Sequence, residues 1–169
     1  MTRNLLLVAA MILTGAFFSA PAMAQEPQWV ETSRDWDVFT TTINGQRACF
    51  IVSKPKSYSP EPDSRHGDVF FYVTRRAGVE AEPSIIVGFD FLEGREVTVT
   101  VGDQRFAFMT QGRRAFINDP AQTSALITAM RAGSDMRVSG SSARPTDVAY
   151  TFSLSGVTAG LNRSARECN

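Results

Sequence analysis

A strict alternation of apolar and polar residues in the stretch EVTVTVGDQRFAFMT is the feature that most constrains the fold. Val97, Val99 and Val101 fall on one face of such a strand, because successive side chains point to opposite faces of a sheet. A Gly-Asp pair follows, which suits a two-residue hairpin turn, and Phe106 and Phe108 then continue the apolar face on a partner strand. The stretch therefore predicts an antiparallel hairpin with one buried face.

Short β-prone segments separated by turn signals recur from Asp35 to near the end of the chain. Asn44-Gly45 joins two of them and is typical of a tight hairpin, because both residues tolerate positive φ. The sequence predicts a mainly β fold, an antiparallel β-sandwich or barrel-like structure of about nine strands.

Two segments have helical spacing instead. Asp119 can cap a helix whose first position is Pro120, which predicts a helix over 120–132. A short C-terminal helix is predicted from Gly156 to about Glu167.

The N-terminus has the three parts of a secretory signal peptide. Arg3 precedes an apolar run over 5–18, and Ala22-Met23-Ala24 ends in a small residue suited to cleavage. A membrane anchor is the alternative, but this run of about 14 residues is shorter than the roughly 20 that span a bilayer. We therefore predict a cleaved signal peptide over 1–24, a leader without periodicity over 25–34, and a single β domain over 35–169, in a periplasmic or secreted protein.

The balance of charge excludes some partners. The chain has 17 Lys and Arg residues against 17 Asp and Glu residues. It therefore lacks the basic surface that nucleic acid or an anionic membrane would attract. We predict a monomer without an integral membrane segment after cleavage.

The two cysteines are Cys49, in a predicted inner strand, and Cys168, next to the C-terminus. Val157, Leu161, Ser164 and Cys168 share one face at helical spacing, so Cys168 would face the protein. In an oxidising compartment an internal disulfide is the simplest pairing. Two free thiols, or an intermolecular bridge through Cys168, remain the alternatives.

His66, the only histidine, lies between Asp63 and Asp68. The three could form a weak metal cluster or be solvated loop residues, and a zinc site would need carboxylates for its other ligands. We predict no catalytic, metal or cofactor site, and we expect His66→Ala to leave stability nearly unchanged. The proline-rich segment 54–67 is predicted to be a long exposed loop for a partner, with candidate interaction residues Lys54, Lys56, Tyr58, Arg65 and His66.

Several stretches, in order, resemble the invasion-associated locus B family of alphaproteobacterial exported proteins. They are DWDVF, ACFIVSKPKSYSP, DVFFYVT, EVTVTVGDQRFAF, AFINDP, LITAMRAGSDMRVSGSSAR and YTFSLSGVTAGL, followed by the terminal Cys168. The resemblance covers about residues 35–168. Many members have further cysteines, whereas Phe39 and the RRAFIN segment offer none here, so the chain resembles the subgroup with one cysteine in the second strand and one at the C-terminus.

The resemblance implies an exported envelope protein, linked by the family's name to host-cell entry, and it supplies no catalytic residues. We predict a non-catalytic binding or structural module whose partner is an unknown envelope or host protein. One alternative is a periplasmic enzyme inhibitor or accessory protein that inserts the 54–67 loop into a partner's cleft. A hydrolase that uses carboxylates brought together by folding is a weaker alternative.

Overall fold

The computed structural model describes residues 26–61 and 65–168. Two helices lie in this part of the chain, α1 (Thr123–Ala132) and α2 (Val157–Glu167). Its strands are β1 (Gln28–Ser33), β2 (Trp36–Ile43), β3 (Gln46–Ser53), β4 (Ser57–Ser59), β5 (Phe70–Arg76), β6 (Val79–Ile86), β7 (Val97–Val101), β8 (Gln104–Gln111), β9 (Arg114–Ile117), β10 (Asp135–Ser141) and β11 (Asp147–Ser153).

All eleven strands form one antiparallel sheet in the order β1-β2-β3-β5-β6-β9-β8-β7-β10-β11-β4. The sheet does not close, but it curls around its apolar face. Phe71 on β5 packs against Phe152 on β11 with ring centroids 5.7 Å apart, and the Trp36 indole N–H on β2 donates to the Ser153 carbonyl on β11 at 3.0 Å. The mainly β, barrel-like prediction is confirmed, although one curled sheet replaces the two stacked sheets of a sandwich.

The two strands that the sequence did not reveal are the edge strands β1 and β4. Within the segment predicted as a leader without periodicity, Gln28–Ser33 forms a strand, in which Trp29 pairs with Phe39 and Ser33 with Trp36 across the β1–β2 ladder. A bulge between Trp29 and Glu31 shifts the register, and this irregularity hides the alternation on which a strand prediction depends.

The predicted helix over 120–132 forms in two parts. Pro120–Gln122 is a single 3₁₀ turn, and the Asp119 carboxylate accepts a hydrogen bond from the Ala121 N–H at 3.0 Å. The α-helix α1 then continues and buries Leu126, Ala129 and Met130. The capping interpretation of Asp119 is therefore correct, because the carboxylate satisfies an N–H that the first turn leaves free.

The C-terminal helix α2 packs against β2 and β3 on the inner, concave face of the sheet. It buries Val157, Leu161 and Ser164, as the helical spacing predicts. Cys168 is bonded to Cys49 on β3, with 5.9 Å between their Cα atoms. The predicted disulfide therefore joins the end of the chain to an inner strand.

Candidate functional site

Two described parts of the 54–67 segment, the residues around Ser57–Ser59 and His66, are anchored to the body of the protein. Ser57–Ser59 pairs with β11 as strand β4. The Tyr58 ring packs edge-on against Tyr150, with centroids 5.8 Å apart. The backbone N–H of Lys56 also donates to the Thr151 carbonyl at 2.7 Å. The prediction of a loop is therefore wrong for Ser57–Ser59, which completes the edge of the sheet, whereas most of the described residues of the segment are exposed as predicted.

His66 is buried, with 3% of its surface exposed. Its Nε2 lies 2.6 Å from the Pro60 carbonyl, and its Nδ1 lies 2.9 Å from the Tyr150 hydroxyl. Because a carbonyl can only accept, the geometry assigns the proton to Nε2, and Nδ1 accepts from the Tyr150 hydroxyl. The interpretation of His66 as a solvated loop residue is therefore wrong: the ring fastens the segment to β11.

Two glycines allow the backbone beside His66 to pack tightly. The Gly88 N–H donates to the His66 carbonyl at 3.1 Å. A Cβ atom on Gly88 would lie 2.4 Å from that carbonyl oxygen and 2.7 Å from the Cα of Gly67. Only glycine fits at position 88, so the His66 turn rests directly on the chain that follows β6.

A cleft of about 540 Å³ opens beside this turn. We call it the arginine cleft, because Arg65 from the loop and Arg144 from the β10–β11 connection both line it and are both exposed. Phe89 and Val148 form the apolar part of the cleft wall. The remaining lining residues are Pro60, His66, Asp90, Ser142, Ala143 and Thr146.

The chemistry of the arginine cleft is that of a binding site for an anion. A guanidinium group binds carboxylate or phosphate in a planar, two-pronged geometry. Neither Arg65 nor Arg144 forms an ion pair with another residue in the described ranges. Asp90 is the one carboxylate among the described residues that line the cleft, so these residues do not supply a pair of carboxylates for acid and base catalysis.

The side chains around His66 do not favour nucleophilic catalysis or metal binding. Both ring nitrogens of His66 are engaged by Pro60 and Tyr150, so neither is available to activate a nucleophile. Across residues 26–61 and 65–168, no group of three His, Cys, Asp or Glu side chains is placed to hold a metal ion. Asp63, which was considered with His66 and Asp68 as a weak metal cluster, lies outside the described residues.

Lys54 and Lys56 belong to a second, smaller cleft of about 280 Å³ between the loop and the β1–β2 turn. The Lys56 ammonium pairs with the Asp35 carboxylate at 2.6 Å. Hydrogen bonds from Lys56 and Ser153 lower the pKa of Asp35. Lys54 lies over the Phe70 ring, 5.0 Å from its centroid.

The fold thus divides the five candidate interaction residues between two clefts. Arg65 and His66 line the arginine cleft, Tyr58 packs against His66 behind it, and the two lysines lie in the smaller cleft. Sequence reasoning missed Phe89, Asp90 and Arg144, which lie far away along the chain. No local motif marks them, because the long-range strand order alone brings them to His66.

Comparison with known proteins places the chain in a family. A family model described as invasion associated locus B (IalB) protein matches residues 36–165. The chain belongs to the invasion-associated locus B family. The match begins at Trp36, the first residue of β2, and ends within α2, so the family region includes the arginine cleft and nearly all of the sheet.

A solved structure supports the fold of this family member. The crystal structure of invasion associated protein B from Bartonella henselae is similar with a TM-score of 0.61 and 20% sequence identity. The likeness covers 80% of this chain and 94% of that one. No curated protein matches the chain. No helix in the described part of the chain is both long and apolar enough to span a membrane.

Proposed function

We propose that this family member is an exported, non-catalytic binding module of the bacterial envelope that holds an anionic group of its partner in the arginine cleft. The observation that carries the proposal is the presence of Arg65 and Arg144 in one cleft, beside His66, which the Tyr150 hydroxyl holds by a hydrogen bond. A lining that is held in place before binding reduces the entropy lost when a ligand is bound.

Export is supported by the N-terminal pattern and by the disulfide, since bonds of this kind persist in oxidising compartments. A non-catalytic role is supported by the single carboxylate of the cleft and by the engagement of both His66 nitrogens. The link to host-cell entry comes from the family's name, and we propose it only for lineages that enter cells.

The anchored loop favours this reading over an inhibitor that inserts its loop into an enzyme. Such an inhibitor needs a segment that stands clear of its own body, whereas Ser57–Ser59 and His66 are held to β11 by strand pairing and by a hydrogen bond. The partner's acidic group would therefore enter the cleft of this protein. Acidic peptide side chains or a C-terminal carboxylate have the required chemistry.

A fluorescein-labelled poly-glutamate decapeptide is a direct probe of this proposal. We expect it to bind the mature protein, and we expect the double variant Arg65→Ser/Arg144→Ser to bind it at least about tenfold more weakly, because each guanidinium supplies charge-assisted hydrogen bonds. Arg105→Ser is the matched control, since Arg105 is also exposed but lies on β8 outside the cleft. Equal binding by all three proteins would refute an anion site in the cleft.

A further inference from the structure

A row of aromatic side chains crosses the outer, convex face of the sheet, opposite the face that α2 covers. Strand register places Trp29 of β1 opposite Phe39 of β2, and Phe39 opposite Phe50 of β3. Phe50 lies opposite Thr74 of β5, and Tyr72 is two residues away on the same face. We call Trp29, Phe39, Phe50, Tyr72 and the neighbouring Phe70 the outer aromatic band.

The rings of this band contact one another. Phe39 and Phe50 are stacked, with centroids 5.2 Å apart and ring planes 13° apart. Tyr72 lies 5.6 Å from Phe50 and 5.9 Å from Phe70. Trp29 is 61% exposed, and the other four side chains are partly exposed. At a strand spacing of about 4.8 Å, the band spans about 14 Å from β1 to β5.

The same register adds two more apolar side chains beyond β5, after the polar Ser84. Tyr72 lies opposite Ser84 of β6, Ser84 opposite Phe116 of β9, and Phe116 opposite Met109 of β8. Met109 is 42% exposed. The row therefore continues for three more strands, to a total length of about 29 Å.

The outward positions on β7, β10 and β11 have small or polar side chains. They are Thr98 and Thr100 on β7, Arg137 and Ser139 on β10, and Thr151 and the buried Ala149 on β11. The aromatic rings therefore lie on one half of the outer face, although nothing in the fold prevents polar residues at these outward positions too. Contiguous exposed apolar surface of this kind marks an interaction site.

We propose that the outer aromatic band binds a neutral glycan strand, independently of the arginine cleft. A sugar ring has an apolar C–H face, which packs on an aromatic side chain, and a rim of hydroxyl groups, which need hydrogen-bonding partners. Aromatic rings on neighbouring strands can each contact the apolar face of a different sugar unit along such a polymer. Thr74 and Ser84 lie within the row and supply hydroxyl groups beside the rings.

The charges beside the band are of both signs, which favours a neutral ligand. Arg76 pairs with Glu82 at 3.0 Å. Burial raises the pKa of Tyr72, while the nearby Arg114 lowers it and Asp68 raises it. Charged groups of both signs therefore act on the Tyr72 hydroxyl, and guanidinium and carboxylate groups both hydrogen-bond to sugar hydroxyls.

Two other occupants fit the surface less well. A membrane surface attracts clustered cations beside the apolar residues, whereas carboxylates accompany the cations here. A second copy would place two convex faces together. Two convex faces make limited contact, whereas a stable interface buries roughly 1,200 Å² or more.

The two tryptophans give this proposal a direct readout. Trp29 is 61% exposed, whereas Trp36 is completely buried, so a ligand on the band changes the fluorescence of Trp29 alone. We expect chitohexaose, cellohexaose or maltohexaose to shift the emission of the mature protein to shorter wavelength in a saturable titration. Iodide quenching of Trp29 should fall in the presence of the same hexasaccharide.

Calorimetric titration of variants tests the place of binding. Trp29→Thr and Tyr72→Thr should each weaken binding of the active hexasaccharide by about 3- to 10-fold, the worth of one aromatic contact. Thr100→Ala on the polar half is the matched control and should bind normally. Melting temperatures identify any variant that fails to fold. If Tyr72→Thr does not fold, Trp29→Thr still tests the proposal, because Trp29 lies at an exposed edge position.

Three results would overturn the proposal. The first is no response to any of the three hexasaccharides, and the second is binding that survives both band substitutions. The third is a protein dimer, seen by sedimentation, that Trp29→Thr abolishes. Because Arg65→Ser/Arg144→Ser leaves the band intact, it should bind the hexasaccharide normally, which separates this proposal from that of the arginine cleft.

Discussion

At the scale of single residues, His66 and Tyr150 satisfy each other inside the protein. His66→Ala removes the acceptor of the buried Tyr150 hydroxyl and the donor to the Pro60 carbonyl. An unsatisfied buried polar group costs about 1–3 kcal/mol, so we now expect a clear loss of stability where the sequence alone indicated almost none. Urea denaturation measures this loss. A midpoint equal to that of the unaltered protein would contradict the assigned hydrogen bonds.

Tyr150 should also make the free energy of unfolding depend on pH. Burial raises the pKa of its hydroxyl well above the ordinary value. Above about pH 10 the unfolded chain therefore releases this proton while the folded protein keeps it, and the free energy of unfolding falls as pH rises. Denaturation between pH 9 and about 11 should show this decline. Tyr150→Phe should make the decline shallower, and an unchanged slope in that variant would assign it to other groups.

At the scale of elements, the start of α2 depends on one glycine. Gly156 has φ +93°, and a Cβ atom there would lie 1.8 Å from the Ser33 carbonyl oxygen. We expect Gly156→Ala to displace α2 from β1 and to lower stability by more than about 3 kcal/mol. Gly78→Ala is the control, because Gly78 has φ +75° but no atom within 4 Å of such a Cβ. It should cost only about 1–2 kcal/mol in thermal or urea unfolding.

The disulfide and the packing of α2 against the sheet both hold this helix in place. Reduction, or Cys168→Ser, should lower stability by about 2–5 kcal/mol, the usual cost of losing a native disulfide. The sheet keeps its own core, so the loss should appear first as faster hydrogen exchange in residues 156–168. A uniform acceleration in β5 and β8 would indicate instead that the disulfide holds the whole sheet. Two reactive thiols in denatured, unreduced protein would contradict the bond itself.

Elements with strong local patterns were predictable, and elements defined by their neighbours were not. The Val97–Val101 alternation and the Asp119 cap each carry enough local information to specify a hairpin and a helix start. Strand β4 has three residues and exists because β11 offers an edge. His66 was misread for the same reason: its partner Tyr150 is 84 residues away, and no local pattern reports such a contact.

At the scale of the whole molecule, the sheet gives each of its surfaces a different character. The inner face is closed by α2 and the disulfide, the β4 edge carries the arginine cleft, and the outer face carries the aromatic band. The cleft and the band contain different residues on different strands. The topology would therefore allow one chain to hold an anionic group and a glycan at the same time, as proposed above.

The predicted signal-peptide cleavage site lies shortly before the first strand of the sheet. Cleavage after Ala24 would leave Gln25 as the first residue, close to β1, which begins at Gln28. Such a cut spares every residue of the β1–β2 ladder, so the exported protein should fold with Trp29 in place. N-terminal sequencing of the periplasmic or secreted protein should begin at Gln25. An Ala24→Arg variant should slow processing, because the cleavage site requires a small residue, and soluble protein that retains Met1 would contradict export by this route.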